Sequence, residues 1–238
     1  MRLLLIGHGR MGRLVESLAA SHGCEVAGIV TEASGPGAIA STDCGRVDAA
    51  IDFSLAAAVP VNLPALAARG LNVVIGTTGW QSEEAALREV AARAGIGVIA
   101  AANFSIGMHI FKRVVEEAAR RFAAQEDVGA WIHESHHAGK KDAPSGTALL
   151  LASAMTWAGY ARRIDVSSTR AGSIPGTHAV GFDGPADAVT LTHVVRDRAV
   201  FAHGALEAAK WLQGRTGWFS MDDMIGRALG TGRPMPSA

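Results

Sequence analysis

The sequence predicts an α/β protein: a Rossmann-like parallel-sheet domain plus a second α+β domain with a mixed sheet. Three observations carry this reading. Short β-like apolar runs alternate with Ala-rich helical stretches over the first part of the chain, the pattern of a parallel sheet covered by helices. A glycine fingerprint stands between the first run and the first helix. After about Asn103 the alternation gives way to longer helices, a polar loop and alternating strand residues, which suits a smaller α+β unit.

Taken in order, Leu3–Ile6 reads as a buried strand, Arg10–Ser21 as a helix and Glu25–Val30 as a second strand. Further short β-like runs are Ala49–Phe53, Val73–Ile75 and Gly97–Ala100, with helical stretches near Ala56–Arg69 and Ser82–Ala94. A helix near Ile106–Ala124 follows, then a strand-like Val128–Glu134, a polar loop Ser135–Lys141 and a helix near Ala143–Trp157. Gly, Pro and Ser punctuate 171–187 before an alternating run at Ala188–Val195 and a last long amphipathic helix, Phe201–Gln213. The dinucleotide-binding domain is expected at 1–104, completed by 215–238, and the substrate-binding and oligomerisation domain at 105–214. The tail Gly230–Ala238 reads as frayed.

With 238 residues, 49% of them hydrophobic, the chain can bury one large core or two small ones. Aromatic residues number only 7 Phe, 5 Trp and 1 Tyr, so that core is mostly aliphatic. Lys+Arg (22) balance Asp+Glu (22); neither the basic excess of a nucleic-acid binder nor a polybasic membrane-surface patch is present. Leu55–Ala68, the nearest approach to a spanning segment, carries Pro60, Asn62 and Pro64. Leu3–Ile6 begins almost at Met1 without a signal-peptide layout, and Cys24 and Cys44 form neither a disulfide framework nor a metal set. The expectation is a cytoplasmic protein with no metal and no nucleic-acid or membrane partner.

Chemistry enters at Gly7-His8-Gly9-Arg10-Met11-Gly12. Gly7 permits a tight turn, Gly9 lets the backbone approach a pyrophosphate, and Gly12 lets the helix sit close to the strand. Open amides at the helix start then hold phosphates. Glu32, about 20 residues on, closes the second strand, where a carboxylate accepts hydrogen bonds from ribose hydroxyls; a solvated loop acid is the other reading. Gly76-Thr77-Thr78-Gly79 and Ala101-Ala102-Asn103-Phe104 follow two further strands, at the edge where open sheets bind ligands. They suit a nicotinamide riboside, with the Phe104 ring as a face for the nicotinamide. Plain strand-to-helix turns, with Asn103 or Ser105 as N-cap, fit as well.

The densest stretch is Glu134-Ser135-His136-His137-Ala138-Gly139-Lys140-Lys141-Asp142-Ala143-Pro144-Ser145-Gly146-Thr147. Pro144 suits a first helical turn. The amides of Ser145, Gly146 and Thr147 are then free to receive a carboxylate. His136 and Lys140 are candidate proton donors, and Lys140 can also fix an anion. Less specific readings are a solvated histidine pair, a solvent-facing Lys141, and Ser145 and Thr147 acting only as helix caps.

At this stretch the chain resembles the dihydrodipicolinate reductase (4-hydroxy-tetrahydrodipicolinate reductase) family of the bacterial diaminopimelate and lysine pathway. The signature E-x-H-H-x-x-K-x-D-A-P-S-G-T-A runs from Glu134 to Ala148. In family order stand Gly9–Gly12, Asp52-Phe53-Ser54, Gly76–Gly79, Ala102–Gly107, Arg170-Ala171-Gly172, Gly176-Thr177-His178 and Phe201–Ala205. The resemblance implies NAD(P)H-dependent reduction of 4-hydroxy-tetrahydrodipicolinate to tetrahydrodipicolinate by a homotetramer assembled through second-domain sheets. It places proton donation on His136 and Lys140, and substrate binding on His137, Gly146 and Thr147, with Ser145 beside them. It puts cofactor contacts on the loop of residues 7–12, Glu32, Gly76, Thr77, Thr78, Ala101, Ala102, Asn103 and Phe104. Ala33 follows the acid where some relatives carry arginine, so NADH is expected to serve at least as well as NADPH, although Arg10 remains able to reach a phosphate. A dehydrogenase of amino acids such as aspartate, and a nucleotide-sensing protein without catalysis, are the competing functions.

Overall fold

The computed structural model describes residues 1–228 apart from Pro36 and Cys44; the expectations for Cys44 and for the tail from Gly230 lie outside them. The chain forms two compact units, residues 1–106 with 199 onward, and Gly107–Arg198. No helix among the described residues is long and apolar enough to cross a membrane.

The first unit is built on six parallel strands. These are β1 (Arg2–Ile6), β2 (Glu25–Val30), β3 (Ala49–Asp52), β4 (Asn72–Ile75), β5 (Gly97–Ala100) and β10 (Gly217–Phe219), in the order β10-β5-β4-β3-β1-β2. Strand residues alternate between faces, and both faces are covered. Leu3, Leu5, Ile51, Val74 and Ile99 meet one layer: α1 (Arg10–Ala19), α7 (Ala199–Trp211) and α8 (Met221–Ala228). Leu4, Ile6, Ala50, Val73 and Val98 meet the other: α2 (Ala38–Ser41), α3 (Val59–Ala68) and α4 (Glu84–Ala94).

One boundary differs from expectation. Helix α7, assigned from sequence to the substrate domain, belongs to the first unit. Its Ala202, Ala205, Ala208 and Ala209 make a face flat enough to lie against the sheet. A Cβ on Gly204 would stand 1.7 Å from the Phe104 carbonyl oxygen, so only glycine allows this approach.

The second unit has a sheet of β6 (Gly129–His136), β7 (Ile164–Arg170), β8 (Thr177–Asp183) and β9 (Ala188–Val194), in the order β7-β6-β8-β9. Strand β7 is parallel to β6, and the other pairs are antiparallel. Helices α5 (Ile106–Phe122) and α6 (Gly146–Trp157) cover one face through Met108, Val115, Ala148, Leu151 and Met155. Strand β8 falls in the stretch that reads from sequence as Gly-punctuated. Its Gly181 is a socket, because a Cβ there would lie 2.1 Å from the Trp131 ring.

Candidate active site

The first unit closes around a nucleotide-sized cavity of about 760 Å³. Gly7 turns the chain at the end of β1 with φ +89°, and its N–H donates to Val30 O at 2.8 Å. A Cβ at Gly7 would sit 2.5 Å from Phe53 O, and one at Gly12 would sit 2.2 Å from Gly7 O, whereas Gly9 faces open space. Gly9 caps α1 without a side-chain hydrogen bond, so the first-turn amides stay available. Gly7, His8, Gly9 and Glu32 all line the cavity, its remaining wall being largely aliphatic, with Ile6, Val30, Ile39 and Leu55. No lysine or arginine is among the described residues that line it. His8 Nε2 lies 2.6 Å from Glu16 Oε2.

The other residues expected at the cofactor lie outside this lining: Arg10, Met11, Gly12, Gly76, Thr77, Thr78 and Ala101 through Phe104. Gly76 packs under the Phe53 ring, where a Cβ would fall 2.0 Å away. Thr77 is buried and donates to Asp52 Oδ1 at 3.1 Å, while Thr78 is exposed. The Ala101 N–H is taken by Ile75 O, and Asn103 Oδ1 accepts from the Ser105 amide at 2.8 Å, as a capping residue does. Phe104 corrects an expectation: its ring is 2% exposed, inside the core and edge-on to Phe53, so it offers no face to a nicotinamide. Asp52, to which the sequence reading gave no role, is 1% exposed and accepts from the Ser54 amide and hydroxyl, Asn62 Nδ2 and Thr77 Oγ1. It thereby joins the turn after β3 to the turn after β4.

In the second unit the polar cluster is the end of the sheet's own core. The inward rows run Ala130, Ile132, Glu134, His136 on β6 and Ile164, Val166, Ser168, Arg170 on β7. On β8 the inward row is Phe182, Val180, His178, and on β9 it ends Leu191, His193. On every strand the row turns from apolar to polar at the same end. His136 is therefore the last residue of a strand rather than part of a free loop.

Glu134, fully buried, is the centre of this end. Arg170 donates to both its oxygens, at 2.6 and 2.9 Å, and to Asp142 O at 2.6 Å. The Ser145 amide donates to Oε1 at 3.2 Å, and His136 Nδ1 bonds Oε2. Burial alone pushes the Glu134 carboxyl up; hydrogen bonds from Arg170, Ser168, His136 and the Ser145 amide outweigh it and bring the pKa down to about 2. Burial lowers His136, against the Glu134 carboxylate and with the help of Lys140 and Arg170. Burial, then the charge of His136, brings His178 down to about 4. Ser145 Oγ lies 3.1 Å from His178 Nε2 and accepts from the Ala148 amide.

Two details of the helix start differ from expectation. Pro144 precedes the helix: Ser145 is the N-cap and α6 begins at Gly146. The Ser145 amide is also taken by Glu134, because an internal carboxylate reaches it first. Gly146, exposed, and Thr147, half-buried, start the helix with no acid in its first turn. Lys140 pairs with Asp142 at 2.7 and 2.9 Å, and that ammonium holds the Asp142 carboxyl below its ordinary range. His137 is half-buried beside Gly139, and Lys141 is exposed. Glu134, His136 and His178 place ligand-type atoms within 4.8 Å of one another, yet both Glu134 oxygens already accept from Arg170. Glu134, Arg170 and His178 escaped the sequence reading as site residues. The available signal was the two-residue period that puts Glu134 on the same face as His136.

The cluster combines a carboxylate-held imidazole, an ammonium paired with Asp142 and a helix start whose Gly146 amide meets the same Asp142 carboxylate, a set suited to exchanging that carboxylate for a bound anion and giving it a proton. Residues 1–104 match the family model described as "Dihydrodipicolinate reductase, N-terminus", and residues 107–225 match "Dihydrodipicolinate reductase, C-terminus". The chain is 40% identical over 197 residues to the 4-hydroxy-tetrahydrodipicolinate reductase of Methanosarcina mazei, covering 76% of this chain and 74% of that one. The enzyme of the same name from Christiangramia forsetii is 31% identical over 238 residues, covering 94% and 98%. The fold is shared with the dipicolinate-bound dihydrodipicolinate reductase of Paenisporosarcina sp. TG-14, at a TM-score of 0.78, 19% identity and coverage of 94% and 99%. Matched along both units, the chain belongs to the dihydrodipicolinate reductase family.

Proposed function

We propose that the chain reduces 4-hydroxy-tetrahydrodipicolinate to tetrahydrodipicolinate, with the reductant held by the first unit and the acceptor and the proton by the second. The observation that carries this is the polar end of the second sheet, where the Glu134–His136 pair and Lys140 accompany a helix start without an acid in its first turn. One substrate carboxylate docks on the Gly146 and Thr147 amides in place of the Asp142 carboxylate that Gly146 meets, with Ser145 fixing their position and His137 as a further contact. Loss of the 4-hydroxyl as water leaves a conjugated ring. A reduced nicotinamide held by the first unit would supply the hydride that ring carbon 4 takes up, and the ring nitrogen would receive the displaced electron pair. The proton that neutralises it comes from the His136 imidazolium or the Lys140 ammonium.

NADH serves at least as well as NADPH in this reading. Glu32 lines the cavity, Ala33 follows it, and among the described residues no lysine or arginine lines the wall to balance a 2′-phosphate. The loop of residues 7–12 holds the pyrophosphate; Gly76–Thr78 and the backbone of Ala101–Phe104 serve the nicotinamide side. The enzyme is a cytoplasmic homotetramer whose subunits meet on the second unit's sheet. The test follows NADH loss with the cyclic product of pyruvate and aspartate semialdehyde as substrate, and repeats it with NADPH. His136→Gln should lower kcat by about 10²- to 10⁴-fold with NADH affinity unchanged; a wild-type kcat in that variant removes His136 from the chemistry.

A further inference from the structure

We infer that Glu134 is a positioning residue: clamped by Arg170, it fixes His136 with hydrogen on Nδ1 and makes Nε2 the atom that takes up and releases the proton. This rests on His136 as proton donor. An ionised carboxylate only accepts hydrogen bonds. Glu134 is fully buried, and the half-buried Arg170 binds both its oxygens, at 2.6 and 2.9 Å; that pairing keeps the carboxylate ionised against its burial, and the bond to His136 then requires hydrogen on Nδ1. The neutral ring then carries its lone pair on Nε2. That nitrogen faces Gly176, where an added Cβ would come within 3.2 Å of it; glycine leaves the approach open.

The same carboxylate reaches further than the imidazole. Oε1 takes the Ser145 amide at the start of α6, and the Arg170 clamp also holds Asp142 O, beside the carboxylate that pairs Lys140. One ion pair, buried at its carboxylate end, thus sets the positions of the donor, the ammonium loop and the helix start together. The charged groups around His136 are Glu134 on its own strand, Arg170 on β7 and Lys140 on the loop, with the His178 ring on β8 edge-on at 5.1 Å. Burial holds the ring's pKa below the ordinary histidine value. A bound dicarboxylate adds negative charge and favours the imidazolium, so Nε2 gains its proton when the acceptor is in place.

The experiment is nitrogen-15 NMR of histidine-labelled whole protein across pH, with steady-state kinetics. In the wild type, His136 should show the Nδ1–H tautomer in its neutral form. Glu134→Gln removes the negative partner and should lower the His136 titration midpoint by about one unit or more, cutting kcat about tenfold above that midpoint and leaving NADH affinity unchanged. Arg170→Gln removes the positive partner and should move the midpoint up. Opposite shifts from the two variants cannot come from mere loosening of the fold. An Nε2–H tautomer in the wild type, or midpoints moving the same way in both variants, overturns the inference. The wild-type spectrum decides even where a variant fails to fold. Turnover of His136→Gln tests the donor assignment separately, because the tautomer is read without it.

Discussion

Four side chains of the second unit, His178, His136, His193 and Glu134, shape how this protein responds to acid. His178 is 4% exposed, and burial followed by the charge of His136 brings its pKa down to about 4. Its ordinary value is near 6.5. As pH falls below that, the unfolded chain takes up a proton that the folded chain refuses, so stability present above about pH 6.5 is lost on the way to about pH 4. His136 and His193, both lowered, act in the same direction. Glu134 follows: held at about 2 against an ordinary carboxyl near 4.5, it contributes stability above that range and loses it as pH drops toward 2. The protein should therefore begin to lose thermal stability near pH 6, before its carboxylates titrate. The whole His178 contribution is on the order of 3 kcal/mol. His178→Gln, with an amide oxygen to accept from Ser145, should flatten the melting-temperature curve between about pH 6.5 and 4. An unchanged curve assigns the loss to other groups.

At the scale of elements, Ser145 joins three structures: it caps α6, gives its amide to Glu134 on β6 and bonds His178 on β8. Ser145→Ala should cost about 1–2 kcal/mol as a lost N-cap, read as a lower urea midpoint, and it leaves the buried His178 Nε2 without that hydroxyl. The substrate KM should rise as the Gly146 and Thr147 amides lose their anchor, while NADH affinity stays. Sequence made the elements around this site legible wherever one rule governed them. The strands of the first sheet are short aliphatic runs, and the turn at Gly7 requires the positive φ that glycine supplies. What it hid depended on partners distant in the chain. Gly181 reads as a strand breaker until Trp131 fills the space above it. Pro144 reads as a first-turn residue until Ser145 takes the cap. Phe104 reads as a ring for the cofactor until the core closes over it. Glu134 is an acid in a run of polar letters, and only the pairing of β6 with β7 and β8 brings Arg170 and His178 to it.

For the whole molecule, the consequential misreading is α7, because it decides which residues make the first unit. One face of the six-stranded sheet is Leu3, Leu5, Ile51, Val74 and Ile99, and its cover includes Ala202, Ala205, Leu206, Ala209 and Leu212. Edge strand β10 continues the same return, with Trp218 in register with Val98. The described residues that line the nucleotide cavity all lie before 66, and the sequence reading completes residues 1–104 with 215–238 alone, leaving α7 out. Packing says otherwise. Baring those aliphatic side chains costs roughly 2 kcal/mol each, and together they match the total stability of an ordinary domain, about 5–15 kcal/mol. A chain ending at Arg198 retains every described residue that lines the cavity, yet it should fail to bind NADH and show no cooperative unfolding of its first unit. Dinucleotide titration by fluorescence, beside a thermal melt of the same sample, measures both. Binding at wild-type affinity in that shortened chain would mean the sheet face tolerates water. The C-terminal return would then be dispensable to the nucleotide site.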